Sequence, residues 1–149
     1  MPSYKIKPPT YLLIAIILIV VLQFTLPVLM LIPSPWVLLG VIPVVIGVVV
    51  NLNADQLFHK VRTAVCPFES SSALVTSGPY RFTRNPMYLG FTLVLLGVSI
   101  LAGSLTPFVI VLAFAILMDR MFIQMEEKKL TLLFGAQYEE YKSHTRRWL

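Results

Sequence analysis

The residues best equipped for chemistry lie in one run, Ser77-Gly78-Pro79-Tyr80-Arg81-Phe82-Thr83-Arg84-Asn85-Pro86-Met87-Tyr88-Leu89-Gly90. Arg81 and Arg84 carry fixed positive charge, and Tyr80 and Tyr88 offer aromatic faces and hydroxyls. Asn85-Pro86 is a helix start, with Asn85 as N-cap and Pro86 at the first helical position. The amides of such a start can hold an anion. Further along, Asp119-Arg120 and Glu126-Glu127 put ionisable groups inside and just beyond an apolar run. Charge at inner-leaflet depth is costly and normally faces a cavity. Seven residues return an α-helix to nearly the same face. Asp119 is therefore expected to line up with Glu126, and Arg120 with Glu127, as two charged stripes. Arg120 is the candidate catalytic residue: its guanidinium stays protonated, so it can orient an anionic acceptor but not act as a base. Pairing with Glu127 is its alternative role.

Other polar side chains say less. Cys66 is the lone cysteine, which excludes an internal disulfide and a cysteine-based zinc site. It reads as a small loop residue, and no metal is expected. His59 and His144 lie in polar segments and are expected to face solvent. Asp55 and Glu69 are assigned to a loop, as ordinary charges or as bases for an amine substrate.

These residues need a membrane scaffold. The 149-residue chain is 57% hydrophobic and 13% charged, with a mean hydropathy of +0.81. That composition marks an all-α integral membrane protein of one domain, residues 1–149. No Asp, Glu, Lys or Arg occurs from Pro8 to Ala54 or from Asn85 to Met118. At about 20 apolar residues per span, this accommodates roughly four transmembrane helices. The first two are expected over Tyr11 to Ile32 and Trp36 to Leu52, separated by Pro33-Ser34-Pro35. Residues 53–84 form a cytoplasmic loop. Residues 85–149 carry helices three and four and a C-terminal helical segment that completes the site. The third helix ends near Ala102-Gly103. The fourth starts at Thr106-Pro107 and continues past Met118. Leu130, Phe134, Tyr138 and Tyr141 recur at helical spacing around a break at Gly135. This pattern predicts an amphipathic interfacial segment, anchored at the headgroups by Arg146, Arg147 and Trp148.

The net charge is +5, but the basic residues sit just outside the apolar spans, a topology signal rather than a nucleic-acid patch. Lysines and arginines fall on one side, placing the protein in the inner membrane as a multi-pass chain with both termini cytoplasmic.

Leu74-Val75-Thr76-Ser77-Gly78-Pro79-Tyr80, then Arg84 to Gly90, then Glu126-Glu127 with Leu130, Phe134-Gly135, Tyr138 and Tyr141, resemble the isoprenylcysteine carboxyl methyltransferase family and the related phospholipid methyltransferases. The resemblance covers roughly Ser72 to Trp148, and its elements occur in order and at matching spacing. It implies a multi-helix membrane fold that binds S-adenosylmethionine on its cytoplasmic side and admits a lipid-like acceptor from the bilayer. Carried over by position, the cofactor would touch Ser72, Ala73, Leu74, Val75, Tyr80, Asn85, Pro86, Met87, Tyr88 and Glu126. Partners are then an amphiphilic or lipid-like substrate and membrane lipids. Two positions depart from the family. Asn85 stands where eukaryotic members have histidine, and Phe122 where they have an arginine for the substrate carboxylate. The nearest cation, Arg120, lies about 160° around the helix. Two other readings stay open: a membrane reductase of related architecture using NADPH, and a non-catalytic membrane subunit.

The topology is open to direct test. Reporter fusions after Ser34 and Ser104 are expected to report the outside, and fusions after Glu69 and Leu149 the inside. A cytoplasmic signal at Ser104 would overturn the arrangement.

Overall fold

The computed structural model describes residues 7–61 and 73–149, and these are almost entirely helical. Helix α1 spans Pro8–Thr25, opening on Pro8-Pro9, where a missing amide costs nothing. It stops well short of the expected Ile32. Pro27 disfavours helical geometry in the residue before it, so the chain leaves the helix at Leu26. The released strand lies against the turn between the third and fourth helices. Leu31 and Ile32 donate to the Gly103 carbonyl at 2.8 and 3.0 Å, and Leu105 donates back to Val28 and Leu29. Ser104 Oγ completes the clasp by donating to Gln23 Oε1 at 2.5 Å.

A short 3₁₀ turn, Trp36–Gly40, leads into α2, Val41–Val61. The sequence predicts a loop from Asn53, but the helix runs through to Val61. The amides of Asn51 and Asn53 donate to the carbonyls of Gly47 and Val49, one turn back. Their polarity is thus absorbed by the helix itself. Asp55 and His59 consequently lie one turn apart on α2, with Nε2 and Oδ2 3.4 Å apart. Cys66, Glu69 and Ser72 lie outside the described residues.

Helix α3, Pro86–Ala102, begins after Asn85 and ends at Gly103, whose φ of 78° is the left-handed geometry that glycine tolerates best. Helix α4, Leu105–Met118, follows at once. Residues Asp119–Ile123 form one π-turn, and α5, Gln124–Phe134, continues beyond it. Gly135 breaks the chain, at φ 48°, before α6, Ala136–His144.

Three stretches are long and apolar enough to cross a membrane: Pro8–Thr25, Trp36–Leu57 and Leu105–Phe134; Pro86–Ala102 is a shorter apolar helix. Leu38, Val109 and Leu112 keep more than half their surface on the outside, as lipid-facing residues do. Within the bundle, Ile19, Leu95, Phe114, Met118, Phe122 and Ile123 form the buried core.

A glycine seam joins α3 to the antiparallel α2 and the 3₁₀ turn before it. A Cβ on Gly97 would meet the Gly40 carbonyl at 2.4 Å, and one on Gly47 the Gly90 carbonyl at 2.5 Å. Such contact suits a lipid environment, where close packing replaces the hydrophobic drive between helices. Gly97→Val is expected to destabilise the protein by more than about 2 kcal/mol, the upper range for overpacking. Val109→Ala, on the outer surface, should change little. Thermal unfolding in detergent measures both, and equal losses would mean that the seam is not a closest-packed contact.

Candidate functional site

The start of α3, the π-turn and the C-terminal tail meet at one end of the bundle. Their centre is Glu127. Arg84 Nε donates to Glu127 Oε1 at 3.0 Å, while Arg147 Nε and Nη2 donate to Oε2 at 3.1 and 2.7 Å. Charge-assisted bonds of this kind are roughly twice as strong as neutral ones. Arg147 Nη1 also lies 3.4 Å from Asp119 Oδ1, and Gln124 donates to Asp119 Oδ2 at 2.8 Å. Arg84 Nη1 reaches the carbonyls of Lys142 and Thr145.

This arrangement corrects two expectations from the sequence. An uninterrupted α-helix would align Asp119 with Glu126 and Arg120 with Glu127. The Gln124 amide instead bonds the Asp119 carbonyl, five residues back, so the π-turn inserts one residue and advances the register. Asp119 comes to the face of Glu127, and one guanidinium bridges both. Arg120, displaced by the same rotation, has an exposed side chain, and both Glu127 oxygens are taken by Arg84 and Arg147. The tail is tied into the same centre, for Arg147, expected at the headgroups, pairs with Glu127 and Asp119. Tyr138 is 1% exposed, and Tyr141 donates its hydroxyl to the Tyr80 carbonyl at 2.6 Å. Tyr138 and Tyr141 of α6 thus pack onto the protein.

The tail is stitched further to the loop before α3. Thr83 Oγ1 and Asn85 Nδ2 both donate to the Arg147 carbonyl at 3.0 Å, and the Arg84 amide donates to Arg146. Asn85 occupies the N-cap position, but its side chain is committed to the tail, and no side chain caps the first turn of α3.

Among the residues expected at a cofactor, Val75, Tyr80 and Met87 gather in one cluster with Ala54 and Leu57 of α2. Tyr88 hydrogen-bonds Glu126. The Tyr80 phenol lies within the electrostatic reach of Glu126 and Asp55, and burial, followed by those charges, pushes its pKa well above the ordinary tyrosine value. Ala73 and Leu74 lead into the cluster half-buried, and Pro86 is buried at the helix start. Ser72 lies outside the described residues. Two subsites result: Tyr80, Tyr88 and Glu126 on one side of α5, and the Arg84–Glu127–Arg147 lock on the other. Phe122 is fully buried, edge-on to Tyr11 with centroids 5.5 Å apart and stacked on Tyr88 at 6.3 Å.

Sequence reasoning missed Arg147 as a structural partner. The available signal was the pair of acids on α5 with an arginine before α3, a charge excess that needed a second cation. Burial, and after it the nearby Glu127, push the Tyr138 phenol up to about 12.

A family model for phospholipid methyltransferase matches residues 35–137. Curated relatives named protein-S-isoprenylcysteine O-methyltransferase are similar as well. That of Schizosaccharomyces pombe is 39% identical over 72 residues, covering 46% of this chain and 29% of the relative. That of Saccharomyces cerevisiae is 34% identical, covering 70% of this chain and 45% of the relative. The Arabidopsis thaliana protein, with an A suffix to the same name, is 32% identical, covering 68% and 53%. The chain thus spans about half the length, or less, of these relatives. No solved structure matches.

The lock makes a clear prediction. Glu127→Gln strands two guanidiniums, one of them 10% exposed, and is expected to cost about 3 kcal/mol, as for breaking a buried pair. Arg147→Gln, on a side chain 38% exposed, should cost nearer about 1 kcal/mol. Denaturant unfolding ranks the two, and limited proteolysis should cut the Glu127→Gln tail first. A tail as resistant as wild type would show that Glu127 does not hold it.

Proposed function

Because the chain belongs to the phospholipid methyltransferase family, we propose that it is an S-adenosylmethionine-dependent methyltransferase acting on a lipid-like or amphiphilic acceptor at the cytoplasmic face of the inner membrane, with both termini cytoplasmic. The observation that carries this reading is the convergence of Tyr80, Tyr88 and Glu126 beside a helix start with no side-chain cap.

That donor set fits the cofactor. Its α-carboxylate suits the first-turn amides of α3. Its ammonium or ribose hydroxyls suit the Glu126 carboxylate, which Tyr88 orients. The faces of Tyr80 and Tyr88 suit a flat adenine or a cationic sulfonium. Ala54, Val75 and Met87 form an apolar wall beside Tyr80, which keeps water from the electrophile. Bound there, S-adenosylmethionine would supply an electrophilic methyl group for in-line transfer. The protein's task is then alignment of the acceptor with the methyl–sulfur axis.

The acceptor has two readings, an isoprenylcysteine-type carboxylate and a phospholipid-type amine. Phe122 favours the second, since a buried phenyl ring cannot ion-pair with a carboxylate. Arg120 is the candidate positioning cation for an anionic part of the acceptor, because its exposed guanidinium at the π-turn can be reached from the lipid side.

Titration of the purified protein with S-adenosylmethionine and with NADPH separates methyltransferase, reductase and non-catalytic subunit. Tight binding of NADPH alone, or of neither, would overturn the proposal. Glu126→Ala is expected to weaken S-adenosylmethionine binding by more than about 1.5 kcal/mol, the lower range for losing a charged hydrogen-bond partner. Glu139→Ala, on α6, should do little. In the same preparation Arg120→Lys should lower methyl transfer with cofactor affinity and thermal stability intact. Loss of all three together would make Arg120 structural.

A further inference from the structure

On the opposite side of α5 from Glu126, an open cleft of about 390 Å³ is lined by Gln124, Glu127, Lys128, Thr131, Lys142 and Arg147. The first four recur at one-turn spacing and share one helix face; α6 and the tail supply the others. The lining carries three cationic side chains against one carboxylate. That carboxylate is already occupied, for Arg84 and Arg147 cover its two oxygens. Arg147 is spent on Glu127 and Asp119, so the positive charge open to a ligand is that of Lys128 and Lys142. Lys128 is exposed. Lys142 Nζ pairs with the solvent-exposed Glu139 carboxylate, at 3.3 Å, a contact that is cheap to exchange. Arg147 is the rigid element, held in place from below by Asp119 and Glu127.

Depth identifies the ligand. From Leu105 to Ile123 the helix rises roughly 28 Å at ~1.5 Å per residue, close to the ~30 Å of bilayer hydrocarbon. With Leu105 at one hydrocarbon boundary, Gln124 stands at the other and Lys128 about 6 Å beyond it, one turn into the headgroup layer. We propose that this cleft is a phosphate-binding site for the headgroup of an anionic phospholipid, separate from the methyl-transfer site. Lys128 and Lys142 would contact the phosphate. The proposal does not depend on which group is methylated, or on whether any is.

Native mass spectrometry of the full chain in a neutral detergent tests this, with equimolar phosphatidylglycerol and phosphatidylcholine as probes. Wild type is expected to retain phosphatidylglycerol preferentially. Lys128→Gln combined with Lys142→Gln should weaken that retention at least about tenfold, given ~1 kcal/mol per lysine at an anionic surface. Lys128→Gln alone, an exposed change that leaves folding untouched, should weaken it about fivefold. Lys60→Gln, at the end of α2 and outside the cleft, should leave it unchanged. Inorganic phosphate distinguishes the sources. If millimolar phosphate fails to displace the lipid, the headgroup is the ligand. If it displaces the lipid, the cleft reads the phosphate group from either source. Equal retention of the two lipids, or retention unaffected by either lysine variant, overturns the proposal.

Discussion

Glu127 is where the separate parts of this fold are joined. Its carboxylate lies at the end of a membrane-length helix, and the two guanidiniums on it come from either side in sequence, Arg84 before α3 and Arg147 in the tail. A carboxylate so placed cannot remain bare, since an unpaired charge of low exposure costs several kcal/mol. Satisfying it draws the tail across the end of the bundle. The carbonyls of Lys142, Thr145, Arg146 and Arg147 then receive donors from the loop before α3. The tail thereby becomes the roof of the candidate site.

The π-turn makes this geometry possible. By adding one residue to the helix it turns Glu127 toward Asp119 and the tail, and leaves Glu126 toward Tyr88. Adjacent acids of the same type thereby acquire opposite tasks. One is neutralised by arginines for structure, and the other stays beside aromatic hydroxyls where a cationic ligand can meet it. π-turns often mark functional positions because they rotate side chains without ending the helix.

The glycine seam brings the α2 and α3 backbones into contact, so the polar extension of α2 reaches the candidate site. Ala54 and Leu57 pack on Val75, Tyr80 and Met87 only because α2 does not stop at Asn53. The polar residues that look like a loop boundary in the sequence bond back to their own helix. They lengthen the scaffold where a break was expected.

By itself the sequence determined the membrane class, the α3 start at Pro86, the Gly103 and Gly135 breaks and the continuation of the last span past Met118. Each of these follows from local rules of proline, glycine and apolar length, which operate within a few residues. The residues Tyr80, Tyr88 and Glu126 were singled out together by the resemblance to the methyltransferase family. What only the tertiary structure decided was partnership. The fate of Glu127, the use of Arg147, the turning of Asn85 toward the tail and the exposure of Arg120 depend on a single inserted residue and on contacts between segments 20 to 64 residues apart. Helical periodicity assumes an unbroken helix, and no local rule reports which distant cation will arrive at a buried carboxylate.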